Sequence, residues 1–100
     1  MATTTKALAR TAASTTSTTL YTTTTGSSAV VTNIAITNTT TAAATATISL
    51  NSVAILSSVN IDANSTAFID LKQVLASTQT ITGLASTTGV NFHISGIEIA

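Results

Sequence analysis

The sequence contains no cysteine, no proline and no tryptophan, and only six of its 100 residues are charged. Without cysteine it can form neither disulfides nor thiolate metal sites, so core packing or assembly must hold the fold. Without proline, and with so few charges, edge strands lack the residues that usually stop them pairing with another chain. Three cations and three aromatics cannot build the basic, stacking surface that binds nucleic acid. No apolar run approaches the length of a membrane-spanning helix. After Lys6 and Arg10 the chain reads TAASTTSTT, with no apolar stretch of signal-peptide type, so synthesis and folding in the cytoplasm are expected.

What is present is threonine, 25 residues of it, with 12 serines beside it. Threonine is β-branched and stiff at χ1, which disfavours helix and suits a pleated surface. Ile, Val, Leu and Phe together make up 25 of the 100 residues. That is ample for one core, and with zero formal net charge it argues against disorder. Zero net charge also favours association, so self-association is expected.

The apolar residues are unevenly spread. Residues 1–28 hold only Leu8, Leu20 and Tyr21 as sizeable apolar groups besides Met1, whereas Ile, Val and Leu are dense from Ala29 onward. This divides the chain into a flexible N-terminal arm, 1–18, and a β-sandwich domain, 19–100. The KALAR stretch could form one helical turn. With nothing to cap or bury it, a turn that short is unstable in water, so the arm is expected to order only against a partner.

The body reads as short strands between Gly, Asn, Ser and Thr turns. Leu20–Thr22 opens it, and Ala29–Asn38 follows with Val30, Ile34 and Ile36 on one face. Ala44, Ala46, Ile48 and Leu50 alternate with Thr45, Thr47 and Ser49, a period of two that marks a half-buried strand. Val53, Ile55, Val59 and Ile61 continue, then Ala67, Ile69 and Leu71. Asp70–Ala76 (DLKQVLA) is the one helix-compatible stretch of the body. A strand around Ile81 and a turn at Thr87–Gly89 lead into the last strand. There Val90, Phe92 and Ile94 are even-numbered while Ile97 and Ile99 are odd. Either a bulge at Ser95–Gly96 shifts the inward set, or both faces are covered, one of them by a neighbouring subunit. These elements imply an all-β antiparallel β-sandwich, immunoglobulin-like or jelly-roll-like.

Catalytic patterns are scarce. His93, the only histidine, lies between Phe92 and Ile94, points away from the core by alternation and has no partner in a recognisable motif. Asp62, Asp70 and Glu98 are not spaced as an acid–base pair. Asp62 suits a turn, and Glu98 is expected to face outward and pair with Lys72 or a neighbour's cation. The stretch from Gly83 to Gly89 lacks both the spacing and the lysine of a phosphate-binding loop, and no G-x-S-x-G elbow occurs. Sequons at Asn38 and Asn64 arise readily by chance in so threonine-rich a chain. No enzymatic activity, metal or cofactor is expected.

The body resembles a group of small tailed-phage virion proteins. The likeness is carried by Leu20–Thr22 (LYT), Ala29–Thr40 (AVVTNIAITNTT), Ile61–Thr66 (IDANST), Val74–Ala76 (VLA), Ala85–Phe92 (ASTTGVNF) and Ser95–Ile99 (SGIEI). It covers roughly residues 19–99 and departs from the family at Thr22–Thr25, where proline and glycine are usual. The resemblance implies a β-sandwich accessory of the virion, assembled in the host cytoplasm. Its first form is a capsid cement or decoration protein bound to the major capsid protein or other virion proteins. A tail or baseplate component is the second form, and a carbohydrate- or host-surface-binding module the third. On the first, the arm would tether the body to an adjacent subunit, with Leu8, Leu20 and Tyr21 as apolar anchors and Lys6 and Arg10 as cationic ones.

Overall fold

Alternating apolar and hydroxyl side chains become strand almost throughout the computed structural model, which describes residues 3–100. The strands are β1 (Thr3–Ala12), β2 (Thr18–Thr22), β3 (Ser28–Asn38), β4 (Ala44–Leu50), β5 (Val53–Ile61), β6 (Ser65–Leu75), β7 (Thr80–Ala85) and β8 (Val90–Ile99). They form two antiparallel four-stranded sheets, β1-β8-β3-β6 and β2-β7-β4-β5. β1 pairs with β8, β2 with β7, β3 with β6 and β4 with β5. The chain is thus one long hairpin rolled up on itself, the connectivity of a jelly roll rather than of an immunoglobulin domain. At the hairpin's tip Leu50 faces Val53 across Asn51 and Ser52, both at positive φ (50° and 65°). Two such residues match the right-handed twist of the flanking strands.

The core lies between the sheets. Ile34, Ile36, Phe92, Ile94 and Val90 from the first sheet meet Ile48, Ile81, Ile61, Ala46 and Ala85 from the second, all buried. Each large side chain removed from water contributes about 1.5–3 kcal/mol. On β4 the expected alternation holds: Ala44, Ala46 and Ile48 are buried, and Thr45, Thr47 and Ser49 look outward. Asn38 is buried without penalty. Its amide donates to the Ala42 and Ile61 carbonyls (2.8 and 3.1 Å), and its oxygen accepts from the Thr40 amide and hydroxyl (2.9 and 2.6 Å). With both amide hydrogens engaged, the sequon at Asn38 presents no free nitrogen in the folded protein.

Three expectations are corrected. Residues 3–12 are not an arm but β1, an edge strand on β8, and β2 already starts at Thr18. The segment's composition is poor in apolar residues because an edge strand needs few; the one large aliphatic group, Leu8, is buried in the core. Ala13 and Ser14 tie the connection into both sheets, through Ala13 N–H to the Val90 carbonyl (2.7 Å) and Ala85 N–H to the Ser14 carbonyl (2.9 Å). The helix-compatible DLKQVLA stretch is strand β6, because pairing of Asp70, Gln73 and Val74 with Asn33, Val31 and Val30 overrides local propensity.

The third correction concerns parity. β8 keeps one alternation to its end, with Val90, Phe92, Ile94 and Gly96 all inward and buried. The extra residues sit on its neighbours instead: Leu8 in β1 and Thr32 in β3, both opposite the Ser95 region. Gly96 is the cause. A Cβ on it would lie 2.1 Å from the Val30 carbonyl oxygen and 2.8 Å from Leu8 Cδ1. The bulge in β3 also reverses Val30, which is half-exposed while Val31 is buried. Ile97 and Ile99 therefore lie on the outer face, half-exposed, and Glu98 on the inward one.

Candidate functional site

Of the five residues assigned to partner binding, the fold places three in or against its own interior. Leu8 is buried, and Leu20 and Tyr21 pack against the core. Leu20 reaches Gly83, where a Cβ would stand 3.0 Å from Leu20 Cδ1. Lys6 and Arg10 remain exposed, on opposite faces of β1 across the bulge at Leu8. Both nonetheless line one shallow surface depression, together with Thr32, Ser95 and Ile97.

Lys6 and Tyr21 converge on Glu98. Lys6 Nζ stands 3.2 Å from Glu98 Oε2, and the Tyr21 hydroxyl donates to the same carboxylate oxygen. Lys6 and Glu98 belong to the first sheet and Tyr21 to the second, so the cluster latches the two sheets at one end. Burial, reinforced by the adjacent Glu98 carboxylate, pushes the Tyr21 phenol up to about 12. The Tyr21 hydrogen bond, then that of Lys6, holds the Glu98 carboxyl below its ordinary value. Neither group titrates near neutrality, where a general acid or base works best, and the geometry reads as a structural latch. Alternation predicts an outward Glu98 paired with Lys72 or a neighbour's cation; the unbroken parity of β8 turns it inward to Lys6 instead. No local sequence signal reveals this pair, whose members are 92 residues apart.

Among the described residues no three His, Cys, Asp or Glu side chains gather as metal ligands. No helix of the described residues is long and apolar enough to cross a membrane. His93 points outward, as alternation predicts, and its register partner on β1 is Arg10. Asp62 accepts from the Asn60 amide at 3.0 Å, a local turn contact.

The more informative surface is the outer face of the first sheet, which sequence reading passed over. Registers across β1, β8, β3 and β6 align Thr5, Ile97, Val30 and Val74 in one row, and Arg10, His93, Ala35 and Phe68 in another. Phe68 is 73% exposed and Val74 68%. Between the rows, Asp70 accepts from the Asn33 amide at 3.1 Å. On the outer face of the second sheet Thr19, Thr82 and Ser49 form one hydroxyl row across β2, β7 and β4, beside Leu84 of β7, and Val53 at the hairpin tip is 69% exposed. The signal for the apolar rows is present in the sequence as even-numbered Phe68 and Val74, but their face depends on the register.

Fold and surface together define the class: an all-β jelly-roll sandwich with two large apolar side chains, Phe68 and Val74, exposed on the outer face of its first sheet. No protein-family model and no curated protein matches the chain.

Proposed function

We propose that this protein is a non-enzymatic structural component of a phage virion, a capsid cement or decoration protein that stabilises the major capsid lattice. The observation that carries this reading is the outer face of the first sheet, where Phe68, Val74, Val30 and Ile97 leave apolar surface in water beside the open edges β1 and β6. The row Ile97, Val30 and Val74 is continuous across three strands, with Phe68 apart from it beyond Asp70 and Lys72, and apolar surface left in water on a small domain marks an interaction site. The resemblance of residues 19–99 to small virion proteins points the same way, as does the jelly roll, which capsid proteins commonly use; that last support is analogy of fold.

The mechanism is mass action. A protein that binds the assembled shell but not its free subunits stabilises the shell by the free energy of binding. Since residues 3–12 are built into the sandwich, contact with the lattice falls to the sheet face and edges rather than to an N-terminal tether. A rigid face loses less conformational entropy on docking than a disordered arm would.

The test is to add the purified protein to phage capsids lacking their accessory proteins and to measure occupancy and capsid melting. Saturable binding at many copies per particle with a raised capsid melting temperature is expected, and should fall with Phe68→Ser and Val74→Ser. Binding at a few copies confined to the tail would favour the tail or baseplate assignment, and absence of binding to any particle would overturn the proposal.

A further inference from the structure

β6 is the last strand of the first sheet, with no strand on its outer side. Its sequence from Ala67 to Leu75 reads AFIDLKQVL. Phe68, Asp70, Lys72 and Val74 are all exposed, whereas Ile69 and Leu71 are half-buried and Leu75 is buried. Phe68, Asp70 and Val74 have outward-facing register partners on β3; Leu71 and Lys72 together stand opposite the single Thr32, where the β3–β6 register shifts, and Lys72 is exposed like its even-numbered neighbours. Among the described residues Asp70 and Lys72 make no ion pair; the one salt bridge is Lys6–Glu98.

We propose that β6 pairs antiparallel with β6 of a second copy, the twofold axis passing through Leu71, to give a continuous eight-stranded sheet. Directly opposite residues in an antiparallel pair share a face, so each register of a self-paired strand is fixed by the residue at its centre. With Leu71 at the centre, Asp70 faces Lys72 of the second copy, and Lys72 faces its Asp70. Phe68 and Val74 face each other in the same reciprocal way. Every exposed charge meets its opposite, and each exposed apolar side chain meets another.

Neighbouring registers lose this match. A shift that centres Asp70 sets two carboxylates against each other and places Phe68 opposite Lys72. A shift that centres Lys72 opposes two ammonium groups and leaves Asp70 opposite Val74. Opposed like charges on adjacent strands are destabilising, and opposite charges and apolar pairs stabilising. Only the Leu71-centred register uses the two most exposed large side chains of β6 and both of its charges. A C2 interface requires this self-complementarity, and the free backbone groups of the edge supply about eight further hydrogen bonds over the nine paired residues from Ala67 to Leu75. The opposing account is that Asp70 and Lys72 are solvating charges that keep the edge single; the two accounts predict different outcomes.

Sedimentation equilibrium of the full chain should reveal a monomer–dimer equilibrium. Asp70→Lys alone, or Lys72→Asp alone, sets like charges opposite each other twice per dimer and should weaken dimerisation about tenfold or more. The combined Asp70→Lys, Lys72→Asp protein should recover it. Both side chains are exposed, and an unchanged circular dichroism spectrum verifies that the variants fold. Because the chain has no cysteine, register is read by oxidation: a mixture of Phe68→Cys and Val74→Cys proteins should form a disulfide-linked heterodimer, while neither forms a linked homodimer. A monomer at all concentrations, a dimer indifferent to the single reversals, or linked Phe68→Cys homodimers would each overturn the proposal.

Discussion

Leu8 of β1 occupies the space that a side chain on Gly96 of β8 would need: a Cβ there would stand 2.8 Å from Leu8 Cδ1. The two residues lie at opposite ends of the chain, and their contact makes the N-terminal segment part of the fold. The bulge at Leu8 turns its side chain inward over the glycine, next to Ala9, which is also buried.

Gly96→Ala should therefore destabilise the protein by about 1–3 kcal/mol, the usual cost of overpacking. Removing the leucine as well should not restore stability, because the Val30 carbonyl oxygen at 2.1 Å remains. Leu8→Ala alone should cost about 2–5 kcal/mol. Chemical denaturation of the two single variants and the double variant measures all three.

Deleting residues 1–18 should abolish cooperative folding or lower the melting temperature severely. The deletion removes β1, exposes the edge of β8 and takes Leu8 from the core. A loss of this size is a large part of the roughly 5–15 kcal/mol that stabilises a domain. A truncated protein melting with the full chain would show that β1 contributes nothing to the fold.

The Tyr21–Glu98 latch predicts two pH limits. The Glu98 carboxyl is held below its ordinary value, so its contribution is complete above the ordinary carboxylate range and is lost as pH falls through the depressed pKa. The Tyr21 phenol is raised from 10.0 to about 12, so its contribution is complete below pH 10 and is lost as pH rises toward about 12. Tyr21→Phe should lower the melting temperature at neutral pH, flatten its fall across the alkaline window and make the acid limb shallower. Melting temperature against pH for both proteins tests this.

Thr23 is buried, and its hydroxyl oxygen has no hydrogen-bond partner. Its backbone is well anchored, the Thr23 amide donating to the Gln79 carbonyl (2.9 Å) and its own carbonyl accepting from the Thr78 amide (3.1 Å). Thr23→Val keeps the shape and removes the unpaired polar group, so stability should rise by about 1 kcal/mol. A loss of stability would mean that an ordered water satisfies the hydroxyl.

At the tip of the rolled hairpin, Ser52→Gly should also stabilise the protein, by roughly 0.5–1 kcal/mol. Ser52 holds φ at 65°, a conformation costly for a residue with a Cβ and free for glycine. Equilibrium unfolding checks this, and the double variant with Thr23→Val measures any coupling, because the Thr23 amide donates to the Gln79 carbonyl and the Asn51 amide to the Thr80 carbonyl next to it.

The sequence alone determined the class of fold. Thr-rich alternation, as in Ala44–Leu50, admits only a strand with one face buried, because side chains in a strand change face at every residue. It also determined that His93 faces outward, since its neighbours Phe92 and Ile94 are the obligate core residues. It did not determine which strands meet. That Leu8 belongs to the core, that Glu98 finds Lys6 and Tyr21, and that Asp70–Leu75 is strand rather than helix all depend on contacts between segments distant along the chain. For the same reason the parity change at Ser95–Gly96 marks where the ladder shifts but not which strand carries the extra residue, which depends on how β1 and β3 pair with β8. The bulges at Leu8 and Thr32 bring the Leu8 side chain and the β3 backbone against the one position, Gly96, where β8 carries no side chain.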